Sequence, residues 1–272
     1  MVLILSTKFT TMAINNSSRT QILYITIISF FFLAQNVNSA SFTFSDFGPY
    51  TTNIQLEGDS FISNGSIYLT GAVPTSAGRA SYAGPVRLWN ADNGKLAAFT
   101  SVFYFVVAPN GPGLFGDGIT FFIAPFNSHI PKNSSGGFLG LVNAETALNS
   151  YQNQIVAVEF DSFGGNPWDP EFSHIGIDVN SIASLTTAPW KTGSVANGFT
   201  AFAIVNYEPL TKNFSVVVTY PESYGGTSSS TSFLIDLRNV LPEWVRVGFS
   251  GSTGQLVELH KVLSWGFKSS FY

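Results

Sequence analysis

The chain has 272 residues, with twelve basic against sixteen acidic side chains, a net charge of −4 and no cysteine. The acidic balance argues against a nucleic-acid binder, which needs basic patches. The missing cysteines exclude a disulfide-built scaffold, but about 230 residues can bury a sufficient apolar core without cross-links. Twenty-six Phe supply much of that core, and a charged fraction of 10% suits large sheets with half their side chains turned inward.

Taken in chain order, residues 22–34 (ILYITIISFFFLA) form an apolar run shorter than the ~20 residues that cross a bilayer. Lys8 and Arg19 precede it, and the small residues Val37 and Ser39 follow it. The expectation is a secretory signal peptide over residues 1–39, starting at Met1 or Met12 and cleaved before Ala40. Losing Lys8 and Arg19 leaves ten basic against sixteen acidic residues, a charge of −6, on residues 40–272. No later run is long enough for a span, and neither a kinase-like segment nor a further span follows residue 267. A soluble protein on the secretory route, extracellular or vacuolar and not a membrane receptor, is therefore expected.

Helical periodicity is nearly absent from residues 40–272. Strand patterns occur at 41–44, 66–70, 101–107, 118–123, 155–160, 199–205, 214–220, 231–235 and 244–249. Turn-forming clusters at 110–113, 131–137, 197–198 and 225–226 separate them. Residues 236–241 read as a short helical turn. Many short strands without a linker predict one all-β domain, a β-sandwich or jelly roll. Three sequons in this part, at Asn64, Asn133 and Asn213, are candidate glycosylation sites.

The stretch 156–177 carries the densest chemistry. Glu159, Asp161 and Phe163 alternate with Val158, Phe160 and Ser162, which puts the first three on one strand face. A following loop offers Asn166, Asp169 and His174. No Lys or Arg in this stretch neutralises the three acids, so they need a cation or raised pKa values. Oxygen ligands suit calcium, and an added imidazole suits manganese or another transition metal, so the spacing points to two adjacent cations. Three further segments are candidate site loops. Gly116-Asp117-Gly118 lies at a strand mouth. The glycine-rich segment 134–141 can present backbone N–H groups. Residues 250–256 read as a short loop.

Several pieces together resemble the legume lectin family. They are SFTF at 41–44, GDGITFFIAP at 116–125, GGFLGL at 136–141, VAVEFD at 156–161, WDP at 168–170, HIGIDVNS at 174–181 and PEWVRVGFS at 242–250. They cover nearly all of residues 40–267 in the family's order. The resemblance implies a jelly-roll β-sandwich with a flat back sheet and a curved front sheet. It also implies Mn2+ and Ca2+ beneath a carbohydrate pocket. Carried over by position, Glu159, Asp161, Asp169 and His174 would hold manganese, with Ser184 reaching it through water. Asp161, Asp169, the Phe163 carbonyl and Asn166 would hold calcium. Asp117 would accept hydrogen bonds from two sugar hydroxyls, while a Gly136 or Gly137 N–H and the Asn166 amide donate. Phe163 would pack on the apolar face of the ring, and the backbone of Gln255 and Leu256 would make further contacts. The peptide before Asp117 would be cis.

One departure matters. The family's commonest pattern has the Asn two residues after the aromatic one. Here that place is Gly165, and Asn166 follows. Either the loop shifts so that Asn166 serves, or the shared ligand is lost and a lectin-like defence or storage protein results. The short stretch from Phe249 to Trp265 is like that of mannose/glucose-binding members, which sets the expected glycan partner; a homodimer is the expected assembly. A jelly-roll glycoside hydrolase is the enzymatic alternative. It would need a second carboxylate further along the face of Glu159 and Asp161, where Phe163, Gly164 and Gly165 stand instead. No enzymatic activity is expected.

Overall fold

The computed structural model describes residues 39–111, 115–191 and 197–271. The expected signal segment, apart from Ser39, lies outside the described residues, as does part of the turn at 110–113. In chain order the strands are β1 (Ser41–Phe44), β2 (Ile54–Gly58), β3 (Phe61–Ser63), β4 (Ser66–Tyr68), β5 (Ala77–Tyr82), β6 (Val86–Arg87), β7 (Ala97–Pro109) and β8 (Gly118–Pro125). They continue with β9 (Val156–Asp161), β10 (His174–Val179), β11 (Thr186–Pro189), β12 (Thr200–Glu208), β13 (Asn213–Thr219), β14 (Ser228–Leu234), β15 (Trp244–Ser252) and β16 (Glu258–Phe271). The expected turn after Asp236 is a 3-10 turn at Leu237–Asn239, and the Asp236 side chain accepts a hydrogen bond from the Arg238 N–H. Among the described residues, no helix is long and apolar enough to cross a membrane.

The strands form two eight-stranded antiparallel sheets. The back sheet has the order β14-β13-β12-β7-β16-β4-β3, with β1 paired to β16. The front sheet runs β11-β10-β9-β8-β15-β5-β2, with β6 paired to β15. Alternation makes the back sheet one-sided: Phe99, Phe103, Phe105 and Val107 of β7 point inward with Ala201, Ala203, Val205, Phe214, Val216 and Val218 of its neighbours. In the front sheet, β8 and β9 are buried on both faces. Ile119, Phe121, Val156, Val158 and Phe160 join the core between the sheets. Phe122 and Ala157 join a second core roofed by Leu139, Leu141, Val142, Ala147 and Ile182. Two covered faces explain why these strands read as near-continuous apolar runs.

Aromatic rings fill much of the main core, some stacked and some edge to face. Phe103 to Phe249 and Phe249 to Trp265 both have centroids 4.9 Å apart, and the Trp265 indole N–H reaches the Ser101 hydroxyl at 2.9 Å.

The structure corrects three sequence expectations. His174 is not a loop residue but opens β10. Residues 250–252 belong to β15, so the loop before β16 is confined to 253–257. Strands β2, β3, β5, β6, β10, β11 and β16 were not anticipated. β5 (AGRASY) shows why: its small and charged residues carry little β-propensity, and burial within the sheet decides its conformation. Phe103 is 1% exposed amid four rings. Phe103→Ala is expected to cost about 3–5 kcal/mol, read in urea unfolding as a lower midpoint with an unchanged slope.

Candidate functional site

The metal-type cluster follows from strand register. β9 and β10 pair so that His174 lies opposite Asp161 and Gly176 opposite Glu159. The face of β9 carrying Glu159 and Asp161 points away from the main core. Glu159, Asp161 and His174 are all buried, and each offers a ligand atom within 4.8 Å of the others. Glu159 Oε1 lies 2.9 Å from His174 Nε2 and accepts from the Ser184 hydroxyl at 2.5 Å. Gly176 makes room, since a Cβ there would sit 1.9 Å from Ser184 Oγ and 2.4 Å from Glu159 Oε1. The loop 162–173 starts and ends at this paired rung. Asn166 lies in it with its amide donating to Asp169 Oδ2 at 2.7 Å, while Phe163 N–H donates to Asp161 Oδ1 at 2.6 Å.

The donor set fits a cation. Glu159 Oε2 is buried without a hydrogen-bond partner. Burial and then the neighbouring Glu159 and Asp169 charges hold the Asp161 carboxyl well above its ordinary range. Asp169 is pushed up to about 6, first by burial, with the Asn166 hydrogen bond opposing. Bound cations would offset this crowding.

Sequence reasoning missed Asp178. It is fully buried, accepts from the Ser184 hydroxyl at 2.7 Å, and burial followed by the Glu159 charge pushes its carboxyl well up. The signal was available: period two from His174 puts Gly176 and Asp178 on the same face. Arg79 was also missed. It is buried and donates to the carbonyls of Gly140 at 2.7 Å, Leu141 at 3.0 Å and His129 at 3.1 Å, which pins the glycine-rich loop from behind. Burial lowers its pKa to about 10.

Beside the cluster, where Gly118 pairs with Asp161, lies a second convergence. The Gly116–Asp117 peptide is cis. Asp117 is buried and its Oδ2 has no partner. A Cβ on Gly254 would come within 2.9 Å of Asp117 Oδ2 and 3.3 Å of Gly136 Cα. A Cβ on Gly137 would lie 2.4 Å from the Asn166 amide nitrogen, so that amide rests directly on the Gly137 backbone. The Phe163 ring folds over Gly165, where a Cβ would meet it at 2.4 Å. The loop thus brings Asn166 to both Gly137 and Asp169 despite the glycine at 165. Gly136 N–H donates to the Thr253 carbonyl at 3.0 Å and is engaged within the framework. Gln255 is exposed and Leu256 half-buried in the adjoining loop. Of the sequon asparagines, Asn64 and Asn133 are exposed, and Asn213 is half-buried at the start of β13.

A buried carboxylate acceptor beside backbone and amide donors suits a polyhydroxylated ligand. Comparison with known proteins agrees. The family model for the legume lectin domain matches residues 39–272. The chain belongs to the legume lectin family. It is 76% identical to Lectin 7 of Medicago truncatula, over 94% of this chain and 98% of that protein. Agglutinin-2 of Cladrastis kentukea is 47% identical over 90% of this chain and 87% of its own length. The solved lectin II from Ulex europaeus superposes with a TM-score of 0.78 at 44% identity, covering 85% of this chain and 98% of that one. Membership carries the jelly-roll sandwich and a carbohydrate-binding, non-enzymatic role.

The raised carboxylates have a measurable consequence in metal-free protein. Asp169, at about 6, and Asp117, at about 7, bind protons more tightly in the folded than in the unfolded chain. His174 is also raised, because the Glu159 hydrogen bond and charge outweigh burial. Both effects favour folding at low pH. The melting temperature in chelator is therefore expected to fall as pH rises from about 4 to about 7, and divalent ions should restore it. A metal-free melting temperature that climbs across this window would contradict the electrostatics.

Proposed function

We propose that this legume lectin is a Ca2+- and Mn2+-dependent sugar-binding protein whose pocket is Asp117, Gly137, Phe163, Asn166 and the loop bearing Gln255 and Leu256. One observation carries the reading. The partnerless Asp117 oxygen stands beside Gly254, which packs on Gly136, and the Asn166 amide rests on Gly137; Asn166 bonds to Asp169, and Gly118, next to Asp117, pairs with Asp161 of the Glu159, Asp161 and His174 cluster. Glu159, Asp161, Asp169 and His174 would hold manganese, with Ser184 in outer contact. Asp161, Asp169, Asn166 and the Phe163 carbonyl would hold calcium. The ions supply fixed positive charge that offsets carboxylate repulsion and holds loop 162–173. Asp117 accepts from two adjacent hydroxyls, Gly137 and Asn166 donate, and the Phe163 ring covers the C–H face of the sugar.

The short 253–257 segment supports a mannose/glucose preference. A galactose-type preference has support of its own, since a solved lectin UEA-II, 43% identical, is complexed with galactose. Competition of both sugars for immobilised protein decides between them.

We further place the chain on the secretory route, with residues 1–39 as a signal peptide and glycan on the exposed Asn64 and Asn133. The family match beginning at residue 39 and the pairing of Ala40 with Ser269 support this boundary. A homodimer is the proposed assembly, which raises avidity for multivalent glycans.

The test is a glycan array on residues 40–272 with both metals and again after chelation. Binding that disappears on chelation is expected, and binding indifferent to chelation would refute the metal-dependent reading. Asp117→Asn removes a charged acceptor worth about 1.5–3 kcal/mol, so titration calorimetry should show sugar affinity weakened roughly 10- to 150-fold.

A further inference from the structure

We propose that Glu258 and His260 are positioning residues for the carbohydrate pocket, forming with Ser162 a buried polar strut that ties the back sheet to the backbone of Asp117. The proposal rests on the reading of Asp117 as the sugar acceptor. Both residues lie at the start of β16, opposite Pro109 and Val107 of β7, and both are 0% exposed. His260 Nδ1 lies 2.8 Å from the Thr70 hydroxyl, and its Nε2 lies 2.8 Å from Glu258 Oε1. The Ser162 hydroxyl sits 2.8 and 2.7 Å from the two Glu258 oxygens and 3.0 Å from the Asp117 carbonyl. The hydroxyl has one proton to give, so it donates to Glu258 while the Ser162 N–H donates to the Asp117 carbonyl at 3.0 Å.

The elements joined are informative. Ser162 directly follows β9 and Asp117 directly precedes β8, both in the front sheet, whereas Glu258 and His260 belong to the back sheet. Most of the space between the sheets is filled by apolar side chains. A buried carboxylate–imidazole pair is expensive there and seldom adds net stability over an apolar pair. What it does supply is direction. An aromatic contact tolerates sliding, while a chain of hydrogen bonds near 2.8 Å fixes where the Asp117 backbone stands. No atom of this chain is left unpaired: Thr70, His260, Glu258 and Ser162 each contact the next. Glu258 and His260 also act on Asp117 through space. Burial and the Glu258 charge raise its pKa, and His260 lowers it. Among the described residues, the side-chain hydrogen bonds of Glu258 and His260 run to Ser162, to Thr70 and to each other.

The test uses residues 40–272 loaded with calcium and manganese, at a temperature well below melting. Glu258→Ala and Ser162→Ala are each expected to weaken sugar affinity about tenfold with metal affinity unchanged. Glu258→Gln keeps the length and an acceptor oxygen, so it is expected to hold affinity within about threefold. Amide hydrogen exchange at residues 116–118 should quicken in the two alanine variants and not in Glu258→Gln. Folded, metal-loaded Glu258→Ala that binds sugar as the wild type does would overturn the proposal, as would equal losses in Glu258→Ala and Glu258→Gln. If Glu258→Ala fails to fold, Ser162→Ala and Glu258→Gln decide alone. Wild-type protein that binds no glycan would sink the pocket assignment. Unchanged exchange at 116–118 in Ser162→Ala would sink the strut whether or not sugar binds.

Discussion

A strand can turn its side chains in only two directions, and β9 gives each direction a different environment. Val156, Val158 and Phe160 face the aromatic core between the sheets, while Ala157, Glu159 and Asp161 face the loops. A one-residue slip would drive two carboxylates among phenylalanines, so the apolar face locks the register. The same register brings His174 opposite Asp161 and leaves a side-chain-free Gly176 opposite Glu159. The cluster is thus a by-product of correct sheet pairing, and the loop between residues 161 and 174 is closed at both ends by one rung of the ladder.

Closure of that loop is what assembles the pocket. Its residues have little room, and glycine answers the crowding at each close approach: Gly137 against the Asn166 amide, Gly165 beneath the Phe163 ring, Gly254 against Asp117. Each is a place where any Cβ would collide with a group of the proposed pocket. Opposing this tight fit is electrostatic repulsion among Glu159, Asp161, Asp169 and Asp178, with His174 offsetting part of it. The Phe-rich core has to carry this cost in the metal-free protein. Bound ions would turn the same repulsion into affinity, which would couple pocket order to metal occupancy.

The framework behind the pocket is polar where the rest of the interior is apolar. Arg79 reaches from β5 to three loop carbonyls, and Ser250 holds the Leu139 carbonyl at 2.7 Å. The Glu258–His260 pair reaches the Ser162 hydroxyl from the opposite sheet. Such groups keep hydrogen bonds directional in a low-dielectric interior, where an unmet partner is costly.

The period-two pattern at 156–161, the carboxylates of the 156–177 stretch and the turn residues between strands determined an all-β sandwich and a metal-type ligand set, because alternation and residue chemistry are local properties. The family resemblance extended this to Asp117 and the glycine-rich loop. Asp178 was legible by the same alternation and was overlooked. That Asn166 reaches both Gly137 and Asp169 despite the glycine at 165 was not decidable from the chain. It turns on the path of a loop whose ends are set by a pairing thirteen residues apart and whose interior is shaped by contact with Gly137. Nor could sequence alone reveal that Glu258, His260 and Arg79 stand behind the site. Partners such as Ser162 and Glu258, 96 positions apart, meet only when two sheets close on each other, and that decision belongs to the packing of the whole domain.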